Sequence, residues 1–201
     1  MRDWWLRTLL VLQRPRPVFV ALRDDDPDAA AERGEPVLLI VWLAGIAAVL
    51  AGATTYLDDT SRDGVDLALW AFAAGGITGA FAYFVVGWLL YRVTRALGSV
   101  GTARRARHIL AFAWTPIALS LVLWPFKLAL YGDDWFRSGG RDTSGGGLVL
   151  VAVTFAFYAW SAGLLVVGVR SVHGWTWERS LIAAALALAV PIGVSVALAV
   201  A

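Results

Sequence analysis

With 201 residues, 59% of them apolar and 16% charged, and a mean hydropathy of +0.69, the chain lies outside the soluble range, where about 25% of residues carry charge. Cysteine is absent, which excludes disulfides, thiolate catalysis and zinc–thiolate sites together, and two histidines, His108 and His173, cannot hold a metal alone. The net charge of +2 is small but unevenly placed. Almost every basic residue lies outside the apolar runs, a pattern of membrane orientation and anionic headgroups rather than of nucleic acid.

The opening MRDWWLRTLLVLQRPRP resembles a signal peptide only superficially. Thr8 to Leu12 is too short for a hydrophobic region, and Arg14, Pro15, Arg16 and Pro17 follow with no small-x-small cleavage site. The expected structure is an amphipathic interfacial helix, with Trp4, Trp5, Leu9 and Leu12 toward the acyl boundary and Arg2, Asp3 and Arg7 toward water. From Val18 to Glu35 the chain is polar. Asp26 before Pro27 reads as a helix N-cap with proline at the first helical position, and the helix ends at Gly34. The run Asp24, Asp25, Asp26 and Asp28 lacks the alternation and turn glycine of a calcium loop and reads as a solvated surface.

Five apolar runs follow, at about 36–57, 67–91, 109–131, 147–169 and 181–201, each near the length of about 20 residues that a helix needs to cross a bilayer. None contains an acidic residue. The chain therefore divides into an N-terminal cytoplasmic interfacial segment, 1–35, and an all-α, five-helix transmembrane domain, 36–201. The third run is the organising one, because Arg104, Arg105 and Arg107 feed directly into it. Counted between runs, thirteen arginines fall on the side of the N-terminus and three on the other. This excess places the N-terminus in the cytoplasm and the C-terminus outside, as in a multi-pass protein of a cell (inner) membrane. The loops DDTSRDGVD and GDDWFRSGGRDTSGGG are turn-forming and lie outside. No inverted repeat of the transporter kind is visible.

No nucleophile, acid–base pair or metal cluster stands out, so no catalytic residue, metal ligand or cofactor is assigned. Gly75, Gly76 and Gly79 make a smooth strip on the second span, and the Gly75-x-x-x-Gly79 spacing permits close helix crossing, within one chain or between two. Pro116 and Pro125 interrupt the third span and kink it. The carbonyls freed near Phe112 and Leu121 then need partners, from Thr115, Ser120 or a neighbouring helix. Lys127 is the sole ionisable residue inside a span, which makes it a candidate for function. Snorkelling to the outer headgroups or pairing with Asp133 or Asp134 explains it equally. Arg104, Arg105 and Arg107 set topology and, with Lys127, are candidate contacts for lipid headgroups or an anion. His108 and His173 fall at the inner surface.

The stretches RPRPVFVAL before the first span, GWLLYRVTRALGSVGTARRARHILAFAWTPIAL across the second and third, and AWSAGLLVVGVRSVHGWTWERSLIAA across the fourth and fifth resemble the Yip-domain family of small five-span membrane proteins. The resemblance runs from about Arg14 to the end and is nearest to prokaryotic, actinobacterial-type members. It implies five helices and a cytoplasmic N-terminus. Eukaryotic members are Rab-GTPase-interacting proteins of the secretory pathway. Their acidic-glycine-proline motif before the first span is not evident here, so no GTPase-binding role and no functional residue is carried over. The leading expectation is a non-enzymatic protein that organises or scaffolds membrane. Its expected partners are lipids, anionic at the cytoplasmic face, and a second copy or another membrane protein. The alternative is a permease or channel component for an anionic solute or lipid headgroup, with a cavity near span three and Lys127 as the selecting charge.

Overall fold

The computed structural model describes residues 2–143 and 145–200, with the side chains of residues 2, 192 and 194–200 left out of the description. Every element among the described residues is helical. Three short helices come first, α1 (Arg2–Leu10), α2 (Pro15–Ala21) and α3 (Pro27–Glu32). Proline opens α2 and α3, where its missing N–H costs nothing, and the Asp26 carboxylate caps α3 by accepting from the amides of Asp28 and Ala29 at 2.8 and 3.1 Å.

The long helices follow as α4 (Gly34–Gly52) and α5 (Gly64–Ala96), then the broken third segment α6 (Ala103–Ala113), α7 (Thr115–Leu119) and α8 (Trp124–Tyr131), and finally α9 (Gly145–His173) and α10 (Trp177–Val200). Four stretches are long and apolar enough to cross a membrane, Gly34–Gly52, Gly64–Ala96, Ala103–Phe136 and Gly145–His173. The helices overrun the apolar runs because caps, not hydropathy, set their ends. Asp63 and Asp66 form a capping box at the start of α5, and Thr102 accepts from the Arg105 amide to start α6 a turn and a half before the apolar run. The first span departs the other way. It stops at Gly52, and the chain turns through a short 3₁₀ helix, Tyr56–Asp58, so that Leu57 is buried with Trp124, Trp135 and Phe136.

The ends of the bundle differ in chemistry. One gathers Arg23, Arg33, Arg104, Arg105, Arg170 and Arg179 and is called the arginine-rich end below. The far end is closed by its two loops. The Ser138 amide and hydroxyl both donate to the Asp58 carboxylate, the amide at 2.9 Å, and Arg137 donates to the Leu57 carbonyl at 2.5 Å.

Between these ends the core packs Phe112, Ile109, Leu110, Leu165, Val169 and Ala184 against the N-terminal segment. Phe19 of α2 enters the notch left by Gly168 of α9, where a Cβ would stand 2.9 Å from its ring. The orientation expected for α1 is corrected here. Trp4 faces inward, 5% exposed, with its ring 5.6 Å from that of Phe112, and Leu12 also packs on the core. The buried Arg33 explains the reversal, since its guanidinium lies 5.2 Å from the Trp4 ring centroid and an aromatic face is a favourable neighbour for a desolvated cation. The outward face of α1 is Trp5, Leu6, Leu9 and Leu10.

Candidate functional site

At the arginine-rich end, charge is organised by a residue that reads as solvent-facing in the sequence. Asp25 has only 4% of its side chain exposed and accepts from Arg104 Nε at 3.1 Å, while Arg33, wholly buried, approaches at 3.8 Å. Thr102 donates its hydroxyl to the same carboxylate. Burial pushes the Arg33 pKa down and the Asp25 charge pulls it back up. An arginine so placed is retained because removing either partner leaves an uncompensated buried charge. The solvated acidic surface expected from the run Asp24 to Asp28 is thus corrected at Asp25.

Arg104, Arg105 and Arg107, clustered within four positions of the chain, go to three different tasks. Arg104 is neutralised by Asp25 and also donates to its backbone carbonyl. Arg105 donates to the Arg23 carbonyl at 2.8 Å. Arg107 lies over the rings of Phe84 and Tyr83 at 5.2 and 5.9 Å, its stem against Gly87, where a Cβ would meet it at 2.4 Å. His108 is buried with Nδ1 lacking a hydrogen-bond partner, and His173 Nδ1 contacts the Val169 carbonyl at 2.9 Å.

A pocket of about 370 Å³ at this end is lined by Arg16, Arg23, Arg170 and Trp175 with no acidic residue. Its walls are built by the end of α9. Arg23 donates to the carbonyls of Ser171 and Val172 at 2.6 and 3.1 Å, filling acceptors that the last helical turn leaves open. Gly174, at φ +69°, returns its amide to the Arg170 carbonyl at 2.8 Å; after this turn Trp175 meets the His173 ring at 4.7 Å and the Arg179 guanidinium at 4.3 Å, while Arg170 lies 4.5 Å from the Trp177 ring centroid. The Arg170 Nε is buried without a hydrogen-bond partner. No pattern in the sequence joins Arg16 to Arg170; the one local signal is the helix-ending Gly174 between His173 and Trp175.

In the middle of the bundle α4 and α5 meet backbone to backbone. A Cβ on Gly45 would stand 2.0 Å from the Gly75 carbonyl oxygen, and one on Gly79 would stand 2.3 Å from that of Val41. Gly76 faces the Trp42 indole at 3.2 Å, whose Nε1 donates to the Phe72 carbonyl at 3.1 Å. The glycines of span two therefore face α4 of the same chain, and Gly45 is a partner that the sequence reading did not single out.

Span three is not one kinked helix but three helical pieces, with Pro116 at the start of α7 and Pro125 at the start of α8 and a 3₁₀ turn over Ser120–Leu123 between them. The carbonyls near the breaks are met by hydroxyls. Thr115 donates to Phe112 O at 2.9 Å, Ser120 to Ile117 O at 2.6 Å, and Ser161 of α9 to Ala113 O at 2.7 Å. Beside the first break, Trp114 and Ile117 line an apolar cavity of about 500 Å³ bounded by α4, α5, α9 and α10.

Lys127 does not snorkel outward. It is 3% exposed, with Nζ held 4.5 and 4.3 Å from the ring centroids of Trp124 and Trp135. Among the described residues it forms no ion pair with Asp133, Asp134 or any other carboxylate. Further aromatics gather beside it: Trp124 stacks on Phe136 at 5.4 Å and meets Trp135 edge-on at 6.3 Å, and Tyr131 lies 5.6 Å from Trp135. The aromatic faces compensate a cation that the apolar surroundings would otherwise disfavour. A second cavity of about 260 Å³, with Lys127 and Asp142 in its wall, adjoins this cage.

No curated protein and no solved structure matches the chain. The family model of the Yip1 domain matches residues 9–199, nearly the whole bundle together with α2 and α3. The chain belongs to the Yip1 domain family of membrane proteins.

Proposed function

We propose that this chain is a prokaryotic, non-enzymatic member of the Yip1 family that organises an inner membrane by gripping anionic lipid headgroups, and membrane partners held near them, at its arginine-rich end. In this reading α10 is a fifth crossing, the N-terminal segment 1–35 lies at the cytoplasmic surface with the outward face of α1 in the headgroup layer, and the C-terminus is outside. The observation that carries it is the pocket of Arg16, Arg23 and Arg170 with Trp175 and no acid in its wall. Guanidinium groups pair phosphate through parallel hydrogen bonds, and an indole prefers the headgroup level. Arg104 already has the Asp25 carboxylate as a partner, so in this reading the candidate lipid contact lies at the end of α9 rather than in the arginine cluster before span three.

The test is retention of lipid by the purified protein in nanodiscs containing phosphatidylglycerol and phosphatidylcholine. Phosphatidylglycerol should be enriched around the wild type, and Arg16→Ala with Arg170→Ala should reduce that enrichment while leaving the fold intact. Equal retention of both lipids by the wild type, or enrichment unchanged in the double variant, rejects the pocket as the headgroup site.

A further inference from the structure

The arginine pocket leaves the other half of the molecule without a role, and it is there that two cavities meet. The apolar cavity beside Trp114 and Ile117 and the smaller one beside Lys127 share Phe155 and Tyr158 as common walls. The first is lined almost wholly by apolar side chains, and the second has Lys127 and Asp142 in its wall. That wall holds two unsatisfied groups of opposite sign. Lys127 Nζ has three N–H donors and, among the described residues, no hydrogen bond or carboxylate to use them on, only the faces of Trp124 and Trp135. Asp142 Oδ1 is shut off from solvent with no hydrogen-bond partner, and no ion pair joins it to Lys127. A shielded polar group left without a partner is costly, so an ammonium and a carboxylate oxygen unmet among the described residues in one small cavity wall point to a ligand that offers both an acceptor and a donor.

The dimensions suit a lipid. Ile117 and Lys127 are ten residues apart on the broken span three, which at the rises of its α and 3₁₀ pieces spans at most about 15–20 Å, on the order of half the roughly 30 Å thickness of the hydrocarbon layer. That is the depth reached by one acyl chain of one leaflet. A soluble zwitterion would meet the two charges but leave the apolar cavity of about 500 Å³ without an occupant of its own polarity.

We propose that the joined cavities bind one phospholipid from the far-end leaflet, its acyl chain against Trp114 and Ile117, its phosphate on Lys127, and a primary ammonium, as in phosphoethanolamine, on Asp142. This site is separate from the arginine pocket in place and in ligand charge. Phosphatidylcholine fills the same space but has no N–H to give Asp142, and phosphatidylglycerol has no cation at all.

Full-length protein stripped of lipid in detergent is titrated with phosphatidylethanolamine, phosphatidylcholine, phosphatidylglycerol and inorganic phosphate, and bound states are counted by native mass spectrometry. The wild type should hold one phosphatidylethanolamine about tenfold more tightly than phosphatidylcholine, the worth of one charge-assisted hydrogen bond. Lys127→Met should weaken that binding about tenfold, and Asp142→Asn should bring phosphatidylethanolamine to the level of phosphatidylcholine. Ala48→Trp fills the apolar cavity from α4 without touching either charge and should abolish binding; it decides the matter alone if Lys127→Met does not fold. Equal binding of phosphatidylethanolamine and phosphatidylcholine, unchanged binding in Lys127→Met or Ala48→Trp, or inorganic phosphate held as tightly as the lipid would overturn the proposal. The Arg16→Ala, Arg170→Ala variant should bind phosphatidylethanolamine like the wild type, so that this site and the arginine pocket fail or stand separately.

Discussion

Replacing Gly45 by alanine places a methyl group 2.0 Å from the Gly75 carbonyl oxygen and 2.8 Å from the Gly79 amide nitrogen. A carbon and a carbonyl oxygen rest about 3.3–3.6 Å apart, so α4 and α5 would have to part by roughly 1.3 Å or more along a seam that is backbone on both sides. Neither wall can turn a side chain out of the way. Overpacking of this kind costs about 1–3 kcal/mol, partly masked by the gain of about 0.8–1.0 kcal/mol in helix propensity when glycine becomes alanine. Gly163 of α9 separates the two effects, because a Cβ there meets nothing within 4 Å. Gly163→Ala collects the propensity gain with no clash, and the difference between the two variants isolates the steric part. At about 2–4 °C per kcal/mol for a chain of this length, Gly45→Ala should melt about 2–12 °C below Gly163→Ala when unfolding is followed by tryptophan fluorescence in one detergent. A Gly45→Ala protein that melts with Gly163→Ala, or above it, would refute backbone contact between these helices.

Asp25→Asn takes from the wholly buried Arg33 the carboxylate that lies 3.8 Å away, leaving only the more distant charges of Asp24 and Asp26, and should destabilise the protein by about 3–5 kcal/mol; adding Arg33→Met should recover part of the loss, read as thermal midpoint and monodispersity. At the far end, the two hydrogen bonds from Ser138 hold the Asp58 carboxyl below the usual carboxylate range. Its folded-state pKa is therefore the lower one, so the clasp contributes fully above the ordinary value of about 3.9 and is lost as pH falls through the folded value. Amide exchange at Ser138, corrected for its intrinsic rate, should show protection near neutral pH that declines on acidification, and Asp58→Asn should weaken it at neutral pH.

The positions of the apolar helices were legible because desolvation of the backbone dictates them: a long run without acids reads as a span whatever surrounds it. Their ends were less so, since the caps at Asp63 and Thr102 act on the backbone and carry α5 and α6 beyond the apolar composition. The charged groups were misread for a different reason. Asp25 sits in an acidic run that looks solvated, and nothing local reveals that Arg33 and Arg104, the latter 79 residues away, converge on it. That Trp124 and Trp135 close over Lys127 depends on the far-end turn after α8, which the sequence marks only as glycine-rich. Gly75 and Gly79 were visible as a motif, whereas Gly45 has no motif and becomes meaningful only when α4 lies against them.

The grip of Arg23 on the carbonyls of Ser171 and Val172 spans up to 149 positions of chain. At a synthesis rate of about 5–20 residues per second, Arg23 must stay undocked for roughly 7–30 s before these acceptors are even polymerised. Until α9 is made, Phe19 lacks the notch at Gly168, whereas the neighbours of Trp4, Arg33 and Phe112, are already in the chain. The docking of α2 on α9 is therefore a late step of assembly, timed by the arrival of α9 rather than by anything near α2 in the chain.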